Sequence, residues 1–301
     1  MAHTHNHTHS EEAINYSKAF GIGIALNIAY IVVEVIYGLL VNSMALIADA
    51  GHNFSDVLGL LLAWGGAYLA RTAVTKNRTY GLRKSTILAA LFNAIILLIA
   101  VGAITIEAIR KLFNPEPIGG TTMMIVAGIG VIVNTLTAFL FLKGREKDLN
   151  IKGAFLHMAA DAGVSLGVVA AGFLINLTGF YLLDPIISFI IVIVITIGTW
   201  SLLKDSLNLS MDAVPNHINV EEVEKFLSQI NGVTEVHDLH IWAMSTTEIA
   251  LTVHLVIPDG QTDDKFLGKI CEQLHHKFEI EHSTIQIEKN PQSASCEAGN
   301  V

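Results

Sequence analysis

Charged side chains are scarce in this chain. Only 15% of its 301 residues are Asp, Glu, Lys or Arg, whereas an ordinary soluble domain carries about 25%. The hydrophobic fraction is 52% and the mean hydropathy is +0.53. This composition argues against a purely soluble protein and indicates a membrane protein. The length suits one membrane domain followed by one modest soluble domain.

Cysteine is nearly absent, and two familiar sequence signals are missing. Cys271 and Cys296 are too few for a disulfide framework, so we expect the soluble part in a reducing compartment. No signal-peptide pattern opens the chain, and we expect the first apolar segment to be retained as a helix. No phosphate-binding loop of the Gly-x-x-x-x-Gly-Lys-Ser/Thr type is present, which argues against an enzyme.

Negative charge is concentrated at the C-terminal end. Residues 1–204 contain 13 Lys and Arg against 11 Asp and Glu, whereas residues 205–301 contain 5 against 16. The change places a domain boundary near Lys204. An acidic C-terminal domain argues against nucleic acid as a partner. It is compatible with cations, although a soluble domain that simply avoids anionic lipid would have the same charge.

Six apolar segments have about the 20 residues that a helix needs to cross a bilayer. They are Ala19–Leu40, Met44–Ala70, Ser85–Leu112, Thr121–Leu142, Ile151–Thr178 and Asp184–Leu203. Lys and Arg cluster in the loops after the second and fourth segments, while the opposite loops carry only Arg110 and Lys111. This asymmetry predicts a multi-pass membrane protein with both termini in the cytoplasm.

Two of these segments carry ionisable residues at helical spacing. The second contains Asp49, His52 and Asp56 on one helical face, and the fifth contains His157 and Asp161 with the same His-x-x-x-Asp spacing. If the two helices pack face to face, His52, Asp56, His157 and Asp161 offer two imidazole nitrogens and two carboxylates, which suits tetrahedral zinc. We expect Asp49 to orient His52 from behind the site.

A less specific interpretation is that each His and Asp pair is a hydrogen bond within its own helix. We favour the metal site because burying four ionisable groups in a membrane is costly. Glu34 in the first segment is open to two interpretations, as a proton-handling group or as a residue beside a water-filled cavity.

The sequence resembles the cation diffusion facilitators, a family of zinc-exporting transporters. The resemblance extends from about Ala19 to Glu288 and rests on the order of several motifs, which are Ser43–His52 with Asp56, Tyr80–Arg83, Phe92–Ala94, His157 with Asp161, and His237–Trp242. The paired His and Asp residues resemble the zinc-preferring bacterial branch. The resemblance implies efflux of zinc, with cadmium or cobalt as further candidates, in exchange for protons. It also implies a homodimer in the cell membrane, with the bacterial inner membrane as the expected location.

The C-terminal part changes to the pattern of a soluble domain after Asn219. Periodicity predicts helix, strand, strand, helix and strand over Val220–Ile230, Val233–Met244, Glu248–Ile257, Asp263–Phe278 and Ser283–Glu288. This α-β-β-α-β order resembles the small metallochaperone-like domain of the family. The expected fold is therefore an all-α six-helix membrane bundle followed by a small α+β cytoplasmic domain.

A hairpin turn at Ser245–Thr246 would place His237 opposite His254. The resemblance implies a zinc site in this domain, and its candidate ligands are His237, His254, His282 and Glu288, with Gln286 where some relatives have a stronger ligand. A polar sheet face with unpaired histidines is the alternative. His240 either joins the site or lies on the strand surface.

We therefore expect the chain to have four parts, which are a His-rich cytoplasmic tail (1–18), a transmembrane domain (19–204), a cytoplasmic metal-binding and dimerisation domain (205–290) and a disordered tail (291–301). The expected partners are zinc, protons, the lipid bilayer and a second copy of the chain. The first tail either collects metal loosely through His3, His5, His7 and His9 or is inert. A membrane-anchored metal sensor would not need the paired intramembrane residues, and an organic-cation exporter would need an aromatic-lined cavity.

Overall fold

The computed structural model describes residues 10–142, 149–258 and 264–290. The expectations for His3, His5, His7 and His9, for Cys296 and for a disordered segment at 291–301 lie outside the described residues. The chain divides into two compact units. One consists of Met1–Leu61 with Asn93–Ser201, and the other consists of Leu62–Phe92 with Leu202–Val301.

In the described part of the chain, six long helices correspond in order to the six predicted segments. They are α1 (Ser10–Leu40), α2 (Met44–Ala70), α3 (Ser85–Phe113), α4 (Gly120–Phe141), α5 (Leu149–Thr178) and α6 (Leu183–Ser210). Helix α1 begins within the segment predicted as a tail, and α6 continues past Lys204.

Among the described residues, four helices, α3 to α6, are long and apolar enough to cross a membrane. Helix α1 has a shorter apolar stretch, Ile24–Leu40. Helix α2 is not one of the four, and it carries Asp49, His52, Asn53 and Asp56 in its first half. A helical transmembrane region is therefore established, whereas the count of six spans stays a prediction.

Glycines let helices of the first unit pack closely. Gly120 on α4 and Gly172 on α5 face each other, and a methyl group added to Gly120 would lie 2.8 Å from the Gly172 carbonyl oxygen. The hydroxyl of Tyr30 on α1 occupies the corresponding space beside Gly130 on α4. Small residues at such crossings suit helices in lipid, where van der Waals packing replaces the hydrophobic drive between helices.

The C-terminal residues of the second unit form the predicted small α+β domain. Its elements are α7 (Val220–Ser228), β1 (Glu235–Ala243), β2 (Ile249–Val256), α8 (Asp264–Phe278) and β3 (His282–Glu288). The sheet order is β1-β2-β3, with β1 antiparallel and β3 parallel to the central β2. Apolar side chains of α7, α8 and the strands form one core, which includes Val223, Leu227, Leu251, Leu255 and Leu274.

The β1–β2 hairpin pairs His237 with His254, as predicted, but through an irregular register. The prediction assumed one uniform register. Near the turn Ala243 instead pairs with Ile249, which is one residue out of that register. A β-bulge containing Asp238, whose φ is 52°, corrects the difference before His237 is reached.

Candidate metal centres

The first candidate centre lies between α2 and α5. His52 Nε2 is 3.0 Å from Asp161 Oδ1, and His157 Nε2 is 3.2 Å from Asp56 Oδ2. Each imidazole therefore contacts a carboxylate of the other helix. The contact within α5 is longer, with His157 Nε2 3.7 Å from Asp161 Oδ2. The structure thus brings the four predicted residues together, and their shortest contacts run between helices rather than within them.

The spacing of these atoms suits a tetrahedral ion. Zinc bonds to nitrogen and oxygen are about 2.0–2.2 Å long, so neighbouring ligand atoms of a tetrahedron lie about 3.3–3.6 Å apart. The observed separations between nitrogen and oxygen atoms are 3.0, 3.2 and 3.7 Å. Ligand atoms of His52, Asp56 and Asp161 all lie within 4.8 Å of one another. Small movements of the side chains would therefore complete a coordination shell.

Two carboxylate oxygens of this centre have no hydrogen bond. Asp56 Oδ2 and Asp161 Oδ2 are both buried and receive no donor of acceptable geometry, although His157 Nε2 is close to each. Buried polar atoms are normally satisfied, because leaving them unpaired costs free energy. A cation between the two helices would satisfy both oxygens.

Burial changes steadily across the centre. The exposed fraction of the side chain is 2% for Asp161, 18% for His52, 27% for Asp56 and 44% for His157. Asp161 is therefore the closed side of the centre, and His157 is the open side.

Asp49 is fully buried on α2, but its hydrogen bond is not the expected one. Its Oδ2 accepts from Ser165 Oγ on α5 at 2.9 Å. Asn53 Nδ2 donates to the Asp49 carbonyl oxygen at 3.1 Å and to Glu34 Oε2 at 3.5 Å. The hydroxyl of Tyr30 donates to Glu34 Oε1 at 2.7 Å. Asp49 and Glu34 thus belong to a buried network that joins α1, α2 and α5. The role of Asp49 in orienting His52 stays a prediction.

The second candidate centre lies on the sheet of the C-terminal domain. Glu288, which is almost completely buried, places Oε2 3.2 Å from His237 Nε2 and Oε1 3.0 Å from His254 Nδ1. Ligand atoms of these three residues lie within 4.8 Å of one another. Gln286 donates to Glu288 Oε1 at 3.0 Å and so supports the carboxylate.

Sequence reasoning missed Asp238 at this centre. Its Oδ2 lies 3.4 Å from His254 Nε2, and its Oδ1 lies 2.9 Å from His240 Nε2. Both nitrogens of His254 thus face carboxylates, whereas a neutral imidazole has only one N–H to donate. Strand alternation puts residues 237 and 238 on opposite faces. The bulge turns Asp238 toward the histidines, and no local sequence signal predicts it.

His282 is not brought to this centre. It pairs with Ala250 at the start of β3, whereas Glu288 pairs with Val256 at the end. Six residues of strand separate the two by about 20 Å. The His282 ring instead lies edge-on to Tyr80, with 5.5 Å between the ring centroids. Its role as a metal ligand stays a prediction without support from this geometry.

Comparisons with known proteins match nearly the whole chain. The family model for the cation efflux transmembrane domain matches residues 21–209. The family model for the cytoplasmic domain of cation efflux proteins matches residues 215–290.

Three relatives are similar over almost their full length. The metal cation efflux system protein CzcD of Cupriavidus metallidurans is 36% identical over 290 residues, which cover 96% of this chain and 90% of the relative. The cadmium, cobalt and zinc/H(+)-K(+) antiporter of Bacillus subtilis is 35% identical over 293 residues, which cover 96% and 92%. The zinc transporter ZitB of Escherichia coli is 34% identical over 294 residues, which cover 97% and 94%.

A solved structure of the metal-bound C-terminal domain of the CzcD transporter from Cupriavidus metallidurans is also similar. It is 40% identical and covers 24% of this chain and 99% of that chain, with a TM-score of 0.22.

Proposed function

The chain belongs to the cation efflux family of membrane transporters, the cation diffusion facilitators, and from this premise we propose that it exports zinc from the cytoplasm in exchange for protons. The observation that carries the proposal is the pair of crossed His and Asp contacts between α2 and α5. Relatives named for zinc, cadmium and cobalt support zinc as the main cargo and the other two metals as candidates.

His52, Asp56, His157 and Asp161 are the proposed ligands of the transported ion. Two imidazole nitrogens and two carboxylate oxygens are a donor set that zinc accepts in tetrahedral geometry. The two carboxylates balance the charge of a divalent cation, which makes the ion tolerable inside a membrane domain. The two buried oxygens without hydrogen bonds support this assignment.

Exchange for protons is supported by the imidazole nitrogens, because each of them would bind either the ion or a proton. Each imidazole Nε2 faces a carboxylate oxygen, at 3.0 Å for His52 and 3.2 Å for His157, and this nitrogen can carry either a proton or the ion. Zinc needs the lone pair of a neutral imidazole, so its binding releases protons, and protons arriving from the other side favour its release. The centre then returns empty and protonated, as alternating access requires.

The proposed arrangement in the membrane is six spans with both termini in the cytoplasm of a bacterial cell. The loops rich in Lys and Arg support this direction. The opposite loops carry only Arg110 and Lys111, which are outnumbered by the Lys and Arg of the other loops. They therefore do not contradict the rule.

The proposed division of the chain stays as expected from the sequence, with a tail at 1–18, a membrane domain at 19–204, a cytoplasmic domain at 205–290 and a tail at 291–301. We infer that the cytoplasmic domain binds zinc through His237, His254 and Glu288, and that it contributes to a homodimer. The cluster of their ligand atoms supports the metal site.

Zinc flux into proteoliposomes under an imposed pH gradient tests the transport proposal. Wild-type protein is expected to move zinc only while the gradient lasts. Asp161→Ala is expected to abolish the flux while leaving a folded dimer. Glu107→Gln is a matched control because Glu107 is a carboxylate of the same unit that pairs with Arg110, outside the centre. Zinc binding without flux in the wild type would instead indicate a metal sensor.

A further inference from the structure

A buried carboxylate outside both metal centres holds the start of α2. Asp184 in the first turn of α6 has no exposed surface. Its Oδ1 accepts from Ser43 Oγ at 2.6 Å and from the backbone N–H of Ala45 at 3.0 Å, and its Oδ2 accepts from the N–H of Met44 at 2.8 Å. The first N–H groups of a helix have no partner within the helix. Asp184 therefore caps α2 from another helix.

A second buried contact lies beside this cap. Lys111, near the end of α3, is almost completely buried and donates to the Asn42 carbonyl oxygen at 2.5 Å and to Asn42 Oδ1 at 2.6 Å. Asn42 has a φ of 58° and is the second residue after the end of α1. The ends of α1, α2, α3 and α6 thus meet in one polar cluster of Asp184, Ser43, Asn42 and Lys111, which we call the α2 clamp.

The proposed transport centre is closed on the side of the clamp. His52 follows Ser43 by nine residues, which is about 13 Å along α2. His52 and Asp161 are the members of the centre nearer to the clamp, and they are the most buried, at 18% and 2%. Asp56 and His157 lie further from it, and they are the most exposed, at 27% and 44%.

We infer that the α2 clamp is the pivot of the transport cycle, and that Asp184 is a positioning residue that acts on the centre through α2. This inference rests on the proposed transport function. Opening the clamp would leave three donors and a carboxylate without partners in a place closed to water, which is strongly unfavourable. The clamp therefore stays closed while α2 tilts about it, and the ligands further along α2 move.

A reversible covalent link tests whether the clamp stays closed. Ser43→Cys and Asp184→Cys are combined in a background in which Cys271 and Cys296 are replaced by serine. In the reduced variant the clamp is lost, and we expect zinc flux to fall at least about tenfold. Oxidation, or a short reagent that bridges two thiols, ties α2 to α6 again. Because the contact between α2 and α6 stays closed throughout the proposed cycle, we expect the linked protein to recover flux.

Two results would overturn the inference. Flux in the reduced variant that disappears on linking would show a gate that has to open. Wild-type flux in both forms would show that the contact has no role. Absence of flux in the wild type, measured in the same vesicles, would instead count against the proposed function.

A single substitution covers the case in which the double variant does not fold. Asp184→Asn is expected to keep the zinc KM within about threefold of wild type while maximal flux falls about tenfold, because the ligands are intact and only their movement is impaired. Ser188→Ala is the matched control, since Ser188 is a buried hydroxyl on α6 that donates to the Asp184 backbone carbonyl oxygen and not to α2. The pivot would be contradicted if KM rose by as large a factor as maximal flux fell. It would also be contradicted if Asp184→Asn transported zinc like the wild type.

Discussion

The two carboxylates of the proposed transport centre are predicted to be unequal. Asp161 is 2% exposed and approaches both imidazoles, with His52 Nε2 at 3.0 Å and His157 Nε2 at 3.7 Å. Asp56 is 27% exposed and has one ion-pair contact in this centre, to His157 Nε2 at 3.2 Å. Replacing either by asparagine keeps the shape of the side chain and removes one negative charge, so the difference between the two variants reports the environment of each carboxylate.

The size of the difference follows from burial. Removing one partner from a buried charge pair costs about 2–5 kcal/mol. Asp161 belongs near the upper end of this range, at about 4 kcal/mol, which is roughly a thousandfold loss in zinc affinity. Asp56 is partly screened by solvent and belongs at the lower end, at about 2 kcal/mol, which is roughly a 30-fold loss.

The zinc dependence of flux in proteoliposomes measures this difference, because flux counts only the zinc that crosses the membrane and not the zinc held by the C-terminal domain. The expected order of KM values is Asp161→Asn above Asp56→Asn above wild type, with Glu107→Gln equal to wild type. Equal KM values for the two asparagine variants, or the reverse order, would refute the reasoning from burial and pairing.

Three further predictions concern selectivity and stability. His52→Asp is expected to broaden transport toward cadmium, because it changes the balance of nitrogen and oxygen ligands; unchanged selectivity in vesicles would argue against His52 as a ligand. Gly120→Ala is expected to lower stability by about 1–3 kcal/mol, since the new methyl would overlap Gly172 O. Gly128→Ala on the same helix meets nothing within 4 Å and should not lower the melting temperature, since alanine favours a helix over glycine. Asn219→Ala removes the cap of α7 and is expected to destabilise the C-terminal domain by about 1 kcal/mol, measured by hydrogen exchange.

Helical spacing was enough to predict which ionisable residues of α2 and of α5 share a face. His52 and Asp56 lie one turn apart on α2, as do His157 and Asp161 on α5, and the structure brings them together. The spacing left open whether each His pairs within its helix or across to the other. That choice depends on how the two helices pack, which one segment of sequence does not encode.

In the C-terminal centre the predicted pairing of two histidines is correct, although the hairpin register from which it was predicted is not. A uniform hairpin register predicted His237 opposite His254, and the pairing holds because a bulge at Asp238 compensates a different register at the turn. The same bulge brings Asp238 to the histidines. Strand alternation alone could not have predicted this, because a bulge breaks the two-residue period.

The α2 clamp could not be predicted from the sequence either, because its residues are far apart in the chain. A capping residue is normally recognised next to the helix that it caps, whereas Asp184 is 140 residues away from Met44 in the chain. Sequence reasoning had treated Asp184 only as the start of a span and Lys111 only as an exception to the charge rule. Both side chains prove to be buried contacts between helix ends.

The central claim is that two histidines and two aspartates hold the transported zinc. X-ray absorption of zinc bound to the protein tests this assignment, in a variant that lacks residues 1–9 and has His237, His254 and Glu288 replaced. Zinc in this centre is expected to have four nitrogen and oxygen ligands at about 2.0–2.2 Å with scattering from two imidazole rings, and this signal is expected to be lost in Asp161→Asn. A shell containing sulfur, a shell of water oxygens without imidazole, or an unchanged spectrum in Asp161→Asn would show that these four residues do not hold the ion.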